Sequence, residues 1–298
     1  KNNHKSPLLN RSVSGLYPPG STIKMAVALA ALENEIISHK TKIFCNGVKE
    51  YGNMKFHCWA KHGHGNINLL QAIERSCDVY FYELGLKVGI DKISEMLRRF
   101  GLGASLDLEL NEYREGLVPT KKWKLKKEGS SWTPGETINA SIGQGYMLAS
   151  PIQLATMTAR LANSKFAITP TLINGKRKEF KRLEISEKNL NIVKKAMAKV
   201  VNSEFGTAKN SQINSSKIKM AGKTGTVQVV RISEQEREKG ITKNIDRVWK
   251  KRDHALFVGY APIDKPKYAI AVVVEHGGSG SGIAAPIARD IFSKIFKI

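Results

Sequence analysis

Ser21 and Lys24 lie three residues apart in Tyr17-Pro18-Pro19-Gly20-Ser21-Thr22-Ile23-Lys24, just ahead of an apolar run from Met25 to Leu32. A hydroxyl and an amine on one face of a helix's first turn can act as nucleophile and base. Unpaired N–H groups at that helix end favour the negative charge of an alkoxide and of an acyl oxyanion. Alone, S-x-x-K is a weak pattern that arises often by chance, and an N-cap serine with a solvated first-turn lysine is its better reading. Ser76-Cys77-Asp78 offers a second hydroxyl and a carboxylate, although such a pair more often caps a helix. Lys223-Thr224-Gly225-Thr226 forms a third group, on a predicted strand. Glycine inside a strand marks a close approach by another backbone or a ligand, and one ammonium with two hydroxyls suits a carboxylate lying along the strand.

A fourth group has metal-binding character. All three cysteines, Cys45, Cys58 and Cys77, share a window with His57, His62 and His64. The spacing C-x12-C-x5-H-x12-C makes Cys45, Cys58, His64 and Cys77 four ligands of the types that closed zinc sites use. Two alternatives stand beside zinc: a disulfide with one thiol left over, or Cys77 as a small buried apolar residue. An insertion without a hydrophobic pattern needs some cross-link, and a metal here would fix Cys77 together with Ser76 and Asp78.

These residues need elements to position them. Pro18 and Pro19 bias the chain toward extended geometry, so the first helix begins at Gly20 or Ser21. Met25 to Leu32 has no polar face, predicting a helix buried on all sides yet too short to cross a membrane. Lys40 to Asn68 lacks periodicity and reads as an irregular insertion. Leu69 to Ile73 and Val79 to Leu86 read as helices on either side of Ser76-Cys77-Asp78, and Ile90 to Phe100 as an amphipathic helix. Gly101 to Gly135 reads mostly as loop, Pro151 to Asn163 as a helix with a first-turn proline, and Ser186 to Val201 as a helix capped by Ser186. Lys219 to Val230, Ala255 to Tyr260 and Tyr268 to Val274 are predicted strands, Arg231 to Asp253 a charged excursion, Gly277 to Gly282 a flexible stretch and Pro286 to Phe296 a closing helix. Successive strands with short links give an antiparallel sheet flanked by helices, an α+β fold with a mostly helical subdomain over roughly 38–165.

The chain of 298 residues can bury a large core, and its net charge of +22 gives a strong positive field suited to anionic partners. The excess lysines are spread over Lys121 to Lys127, Lys176 to Arg182 and Arg247 to Arg252 without a nucleic-acid motif, so nucleic acid is not an expected partner. No signal peptide or span of about 20 apolar residues is present.

S-x-x-K, S-x-[ND] and K-T-G in this order resemble the penicillin-binding proteins and serine β-lactamases. Leu9-Asn10-Arg11, Tyr17 to Ser21, Ser76 to Tyr82, Asn139-Ala140-Ser141-Ile142-Gly143-Gln144-Gly145-Tyr146, Ala221 to Thr226 and Val273-Val274-Glu275-His276-Gly277-Gly278 extend the likeness nearly end to end. They resemble the class B, elongation-specific penicillin-binding protein 2 family. Asp78, where many members of the superfamily have Asn, is shared within that family.

The resemblance implies a transpeptidase domain over 1–298, without the membrane anchor and pedestal domain of full-length relatives and trimmed of its first strand. It implies a serine D-Ala-D-Ala transpeptidase that crosslinks peptidoglycan stem peptides at the periplasmic face of the bacterial inner membrane. Implied partners are β-lactams, a SEDS-family glycosyltransferase and rod-complex proteins. Some relatives hold a structural zinc at positions matching Cys45, Cys58, His64 and Cys77; no organic cofactor is implied.

In the implied chemistry Ser21 attacks the carbonyl between two terminal D-alanines and Lys24 takes its proton. A free lysine has a pKa of about 10.4, so its charged form must be disfavoured, with burial and the charge of Lys223 as the expected causes. Ser76 relays the proton to the leaving D-alanine, Asp78 orients Ser76 and accepts from the substrate amide, and Lys223, Thr224, Gly225 and Thr226 receive the terminal carboxylate. Backbone N–H groups of Ser21 and Thr226 hold the oxyanion. A serine β-lactamase shares these motifs but needs a water-delivering element, and no E-x-x-x-N lies between Ser76 and Lys223. A non-catalytic penicillin sensor is the other alternative. Glu275 and His276 are expected at a solvated strand end, and Trp59 and Trp123 in packing or in cleft walls.

Overall fold

The computed structural model describes residues 7–108, 110–173, 179–230 and 244–298. After a single turn α1 (Arg11–Ser14), a 3-10 turn (Gly20–Ile23) runs directly into α2 (Lys24–Glu33). Every residue from Lys24 to Ala31 is fully buried, as an all-apolar helix requires. Its small side chains at Ala26, Ala28, Ala30 and Ala31 let neighbouring helices come close. Those neighbours are α4 (Asp78–Val88), α5 (Ile90–Arg99) and α9 (Glu187–Asn202).

The segment between α2 and α3 (Leu69–Glu74) is not irregular. It folds as two small antiparallel ribbons, β1 (Ile43–Cys45) with β4 (Gly65–Ile67) and β2 (Val48–Tyr51) with β3 (Met54–His57). Strands of this length carry too few residues for a period of two to show. The ribbon ends are drawn together by backbone contact: a Cβ at Gly63, whose φ is +77°, would lie 2.1 Å from the Cys45 carbonyl oxygen.

Two helices escape the expected loop over Gly101 to Gly135 and its sequel. In α6 (Lys121–Glu128) the Thr120 hydroxyl accepts from the Trp123 N–H and Gly129 ends the helix in the left-handed region. Six polar or charged residues in its eight hide the helix from an apolar-period argument. In α7 (Pro134–Ser141), Thr133 and Glu136 form a capping box behind a first-turn proline. The helix α8 (Pro151–Asn163) falls where predicted. Ser186 flanks α9 as expected, but its side chain makes no capping bond; its N–H instead donates to Glu33 at the end of α2.

The sheet has the order β5 (Ala221–Val227), β6 (His254–Ala261), β7 (Tyr268–Val274), antiparallel throughout. In register, Lys223 faces Val258 and Gly225 faces Leu256. Helices α8, α9 and α10 (Ala285–Phe296) pack on the sheet. Where the predicted flexible stretch Gly277 to Gly282 ends, Gly280–Ala284 forms a helical turn leading into α10. Residues 231–243 of the predicted charged excursion and 174–178, which include part of the Lys176 to Arg182 run, lie outside the described residues.

Candidate active site

The strand β5 is an edge strand, and its free side receives the 3-10 turn that carries Ser21. The Gly20 N–H donates to the Gly143 carbonyl at 2.9 Å, and Thr22 Oγ1 donates to the Pro19 carbonyl at 2.6 Å. A Cβ at Gly143 would sit 2.2 Å from the Gly20 carbonyl oxygen, and one at Gly225 would sit 3.0 Å from Thr22 Cγ2. The turn is therefore wedged between two backbones that only glycine leaves open. Gly225 thus marks the close approach expected of a glycine within a strand. Ser21 is half-buried, and its hydroxyl has no hydrogen bond among the described residues.

Lys24 opens α2 and is fully buried. Its Nζ donates to Asp78 Oδ1 at 2.7 Å and to the Ser76 carbonyl at 3.0 Å, with Ser76 Oγ at 3.4 Å. Ser76 links α3 to α4 with φ +55°, a left-handed conformation that turns both its carbonyl and its hydroxyl to Lys24. From β5, Lys223 Nζ donates to the same Ser76 Oγ at 2.7 Å and to the Thr224 carbonyl at 3.0 Å. One hydroxyl therefore stands between two buried amines. Burial pushes the Lys223 ammonium well below the ordinary lysine range; the charge of Lys24 adds to this and Asp78 opposes it.

Three expectations change. Asp78 pairs with Lys24 and, through Oδ2, accepts the Trp59 N–H at 3.0 Å, rather than orienting the Ser76 hydroxyl. Lys223 is fully buried, so its ammonium does not lie along the open side of β5 with the threonines. Thr224 and Thr226 also differ. Thr224 Oγ1 lies 2.8 Å from Thr207 Oγ1, whereas Thr226 is exposed and its Oγ1 accepts from the Gly280 N–H at 3.3 Å. Alternation along a strand sends neighbouring side chains to opposite faces, so Thr224 and Thr226 share one face of β5 and Lys223 lies on the other.

Cys45 Sγ, Cys58 Sγ, Cys77 Sγ and a His64 ring nitrogen lie within 4.8 Å of one another. His64 Nδ1 is 3.7 Å from Cys45 Sγ and 3.6 Å from Cys58 Sγ. Tetrahedral zinc bonds of about 2.3 Å to sulfur and 2.0 Å to nitrogen place ligand atoms about 3.5–3.8 Å apart, so the donor set and spacing fit that metal. All three cysteines are buried and free, which removes the disulfide alternative here, and His57 and His62 are exposed outside the cluster. Backbone N–H groups of Asp78 and Tyr80 donate to Cys58 Sγ and Cys77 Sγ, each at 3.4 Å. The hydrogen bond between Cys58 and Cys77 holds the former below the usual thiol range and the latter above it, while burial raises Cys45.

Several site neighbours left no local signal in the sequence. Thr207 reaches Thr224 from a loop, and the Trp59 backbone reaches Asp78 from the ribbon. Trp59 itself is 63% exposed and donates its indole N–H to the Arg75 carbonyl at 3.0 Å; Trp123 instead packs edge-on against Tyr146. Glu275 is not a solvated strand end. It accepts from the Tyr17 hydroxyl at 2.8 Å and from Arg11 Nε at 3.1 Å, tying the segment before Ser21 to the end of β7. The Tyr17 N–H also donates to the Ala149 carbonyl, while the His276 ring packs tilted by 58° against Trp249 and lies edge-on to His254. Among the described residues no helix is long and apolar enough to cross a membrane.

Residues 1–293 match the family described as "Penicillin binding protein transpeptidase domain". The peptidoglycan D,D-transpeptidase MrdA of Haemophilus influenzae is 36% identical over 96% of this chain and 45% of that protein. Its counterpart in Acinetobacter baumannii is 38% identical over 98% of this chain and 44% of that protein. Among solved structures, the penicillin-binding protein PBP2 of Helicobacter pylori in complex with MreC superposes with a TM-score of 0.90 at 38% identity, covering 99% of this chain and 52% of that one. PBP2 of Pseudomonas aeruginosa, solved with WCK 5153, gives 0.85 at 39% identity, covering 99% and 64%. The chain spans about half the length of the curated relatives it matches.

Proposed function

This chain belongs to the penicillin-binding protein transpeptidase family, and from that premise we propose that it crosslinks peptidoglycan stem peptides through an acyl enzyme on Ser21. The observation that carries the reading is the hydrogen-bonded row Lys24–Ser76–Lys223 beside the Ser21 turn. Two buried amines share one carboxylate, Asp78, so the resting site favours one ammonium and one free amine. Lys223, whose charged form is disfavoured first by burial and then by the charge of Lys24, takes the part of the free amine. Its lone pair takes the Ser76 hydroxyl proton while Ser76 takes one from Lys24, and Lys24 becomes the base. Ser21 then loses its proton to Lys24 as its oxygen bonds to the carbonyl carbon between the terminal D-alanines.

Backbone N–H groups of Ser21 and Thr226 hold the oxyanion, and loss of one such donor typically costs about 100- to 1000-fold in rate. Collapse breaks the C–N bond, and the proton on Lys24 returns through Ser76 to the departing D-alanine. The amine of a second stem peptide then bonds to the acyl carbon as the bond to Ser21 Oγ breaks, and the proton it sheds passes along the same row to restore the Ser21 hydroxyl. Thr224 and Thr226 line the edge where the terminal carboxylate binds, and Gly225 keeps that edge close to Ser21. Asp78 keeps Lys24 in place through the resting state.

Cys45, Cys58, His64 and Cys77 would hold zinc as a structural centre, which supplies a cross-link between the ribbons and α4. Its consequence for the chemistry is indirect, because Cys77 lies between Ser76 and Asp78 and Cys58 precedes Trp59. We place the protein at the periplasmic face of the inner membrane, with the helical part over roughly 38–165. The H. pylori relative was solved with MreC, and another neighbour belongs to a peptidoglycan synthase complex, which supports partners in the rod complex that include a SEDS-family glycosyltransferase.

The test is intact-protein mass spectrometry after exposure to benzylpenicillin. A stable adduct on wild type and none on Ser21→Ala is expected; an adduct that survives the substitution places the nucleophile elsewhere. Rapid loss of the adduct with penicillin turnover would instead point to a β-lactamase.

A further inference from the structure

A carboxylate-terminated substrate calls for a positive charge at the edge where Thr224 and Thr226 lie. The lysine that the K-T-G pattern offers for this is fully buried, bonded to Ser76 and Thr224, and driven toward its neutral form. Lys24 is equally buried and paired with Asp78. The charge must come from another side chain.

Arg75 stands immediately before Ser76, at the end of α3. It has no ion pair and no side-chain hydrogen bond among the described residues, and its Nε is buried without a partner. Its guanidinium lies over the ring of Phe205, 4.2 Å from the centroid, and that ring is 58% exposed. Two anchors set its place. The Trp59 indole holds the Arg75 carbonyl, and the loop carrying Phe205 is tied to α3 through Thr207 N–H on the Glu74 carbonyl and Ser203 on the Glu74 carboxylate. Two residues beyond Phe205, the Thr207 hydroxyl meets Thr224. Arg75 is thus joined to the carboxylate edge from both sides, through Ser76 to Lys223 and through Phe205 and Thr207 to Thr224.

We propose that Arg75 is the cation that receives the terminal carboxylate of the donor peptide, and the matching carboxylate of a penicillin, with Phe205 as its platform. An arginine stacked on an aromatic ring keeps its fork of N–H donors oriented for a carboxylate while the ring costs it no donor. An unpaired buried Nε–H is otherwise unfavourable, and an anion at this edge relieves it. The proposal rests on the transpeptidase reading above and gives the charge role to a residue that none of the three motifs contains.

Benzylpenicillin and its methyl ester differ only in this carboxylate, and their second-order acylation constants give the test. Wild type should favour the acid. Arg75→Gln should slow acylation by the acid about tenfold, the loss expected of one charge-assisted contact, and change the ester less than about twofold; Arg75→Lys should restore part of the loss. Wild-type acylation by the acid should also weaken with added sodium chloride, with a smaller slope in Arg75→Gln. Equal loss for acid and ester, no loss for either, or an unchanged salt slope would make Arg75 a latch between α3 and the Phe205 loop and overturn the proposal. If wild type fails to react with benzylpenicillin at all, the transpeptidase reading itself falls, a result separate from these.

Discussion

Replacing Asp78 by Asn removes the charge that partners Lys24 and leaves the shape. Lys24 is fully buried, its Nζ is 2.7 Å from Asp78 Oδ1, and the Asp78 side chain is 13% exposed, so water can do little to compensate. Removing one member of a buried pair costs about 3–5 kcal/mol; Asn keeps one acceptor for Lys24 or Trp59, so the lower end, about 3 kcal/mol, is expected at pH 7. For a chain of this size that lowers Tm by roughly 5 °C. The variant can limit its loss by shedding the Lys24 proton on folding. The unfolded state then binds one proton more than the folded state, so stability rises with pH, by at most about 1.4 kcal/mol per unit until the unfolded lysine titrates near pH 10. The deficit against wild type should therefore shrink between pH 7 and pH 9. The same loss of charge makes the free amine easier to reach, so acylation by a fluorescent penicillin should persist to lower pH in Asp78→Asn than in wild type. Urea unfolding at both pH values and stopped-flow acylation from pH 5 to 9 measure the two effects. A deficit that does not change with pH, together with an unmoved acid limb, would refute the assignment of Asp78 as the partner of Lys24.

Gly143→Ala puts a methyl group 2.2 Å from the Gly20 carbonyl at a φ of +73°; a left-handed alanine alone costs about 1–2 kcal/mol. Acylation of Ser21 should fall by far more than thermal stability does, and wild-type rates in the variant would remove the wedge argument. Tyr17→Phe and Glu275→Gln should each slow acylation and be non-additive in combination, since one hydrogen bond joins them. Burial alone would raise the Glu275 carboxyl, but its bonds with Tyr17 and Arg11 outweigh this and hold it low. Its folded pKa is depressed, so this contribution is present above the unfolded value of about 4.5 and is lost as the pH falls through the lower folded value. The stability difference between wild type and Tyr17→Phe, followed by urea unfolding, should accordingly narrow below pH 4.5. Protein purified without chelator should carry one zinc per chain by elemental analysis. Stripping it, or Cys77→Ala, should lower Tm and slow acylation together; a stripped protein with unchanged Tm excludes a structural metal.

The three chemical motifs, the buried helix behind Ser21 and the antiparallel sheet were all legible in the chain. Each depends on local chemistry: an eight-residue apolar stretch with no polar face can only be interior, and β-branched runs with prolines in the link between them mark strand and turn. The cluster of Cys45, Cys58, His64 and Cys77 was legible by residue type alone, although its ribbons were not, because strands of three or four residues are too short to show a period. The lysine-rich α6 was hidden because its caps, Thr120 and Gly129, rather than its composition, define it. What spacing along the chain could not decide was which partner each site residue takes. The spacing is equally consistent with Asp78 serving Ser76 or Lys24 and with Lys223 facing solvent or the interior; sequence separation carries no information on distances set by packing between α2, α4 and β5. Folding placed both lysine amines in the interior around one hydroxyl, where a charge is stable only next to a carboxylate, and so left the outward-facing charge to Arg75, whose position before Ser76 gave no sign of it.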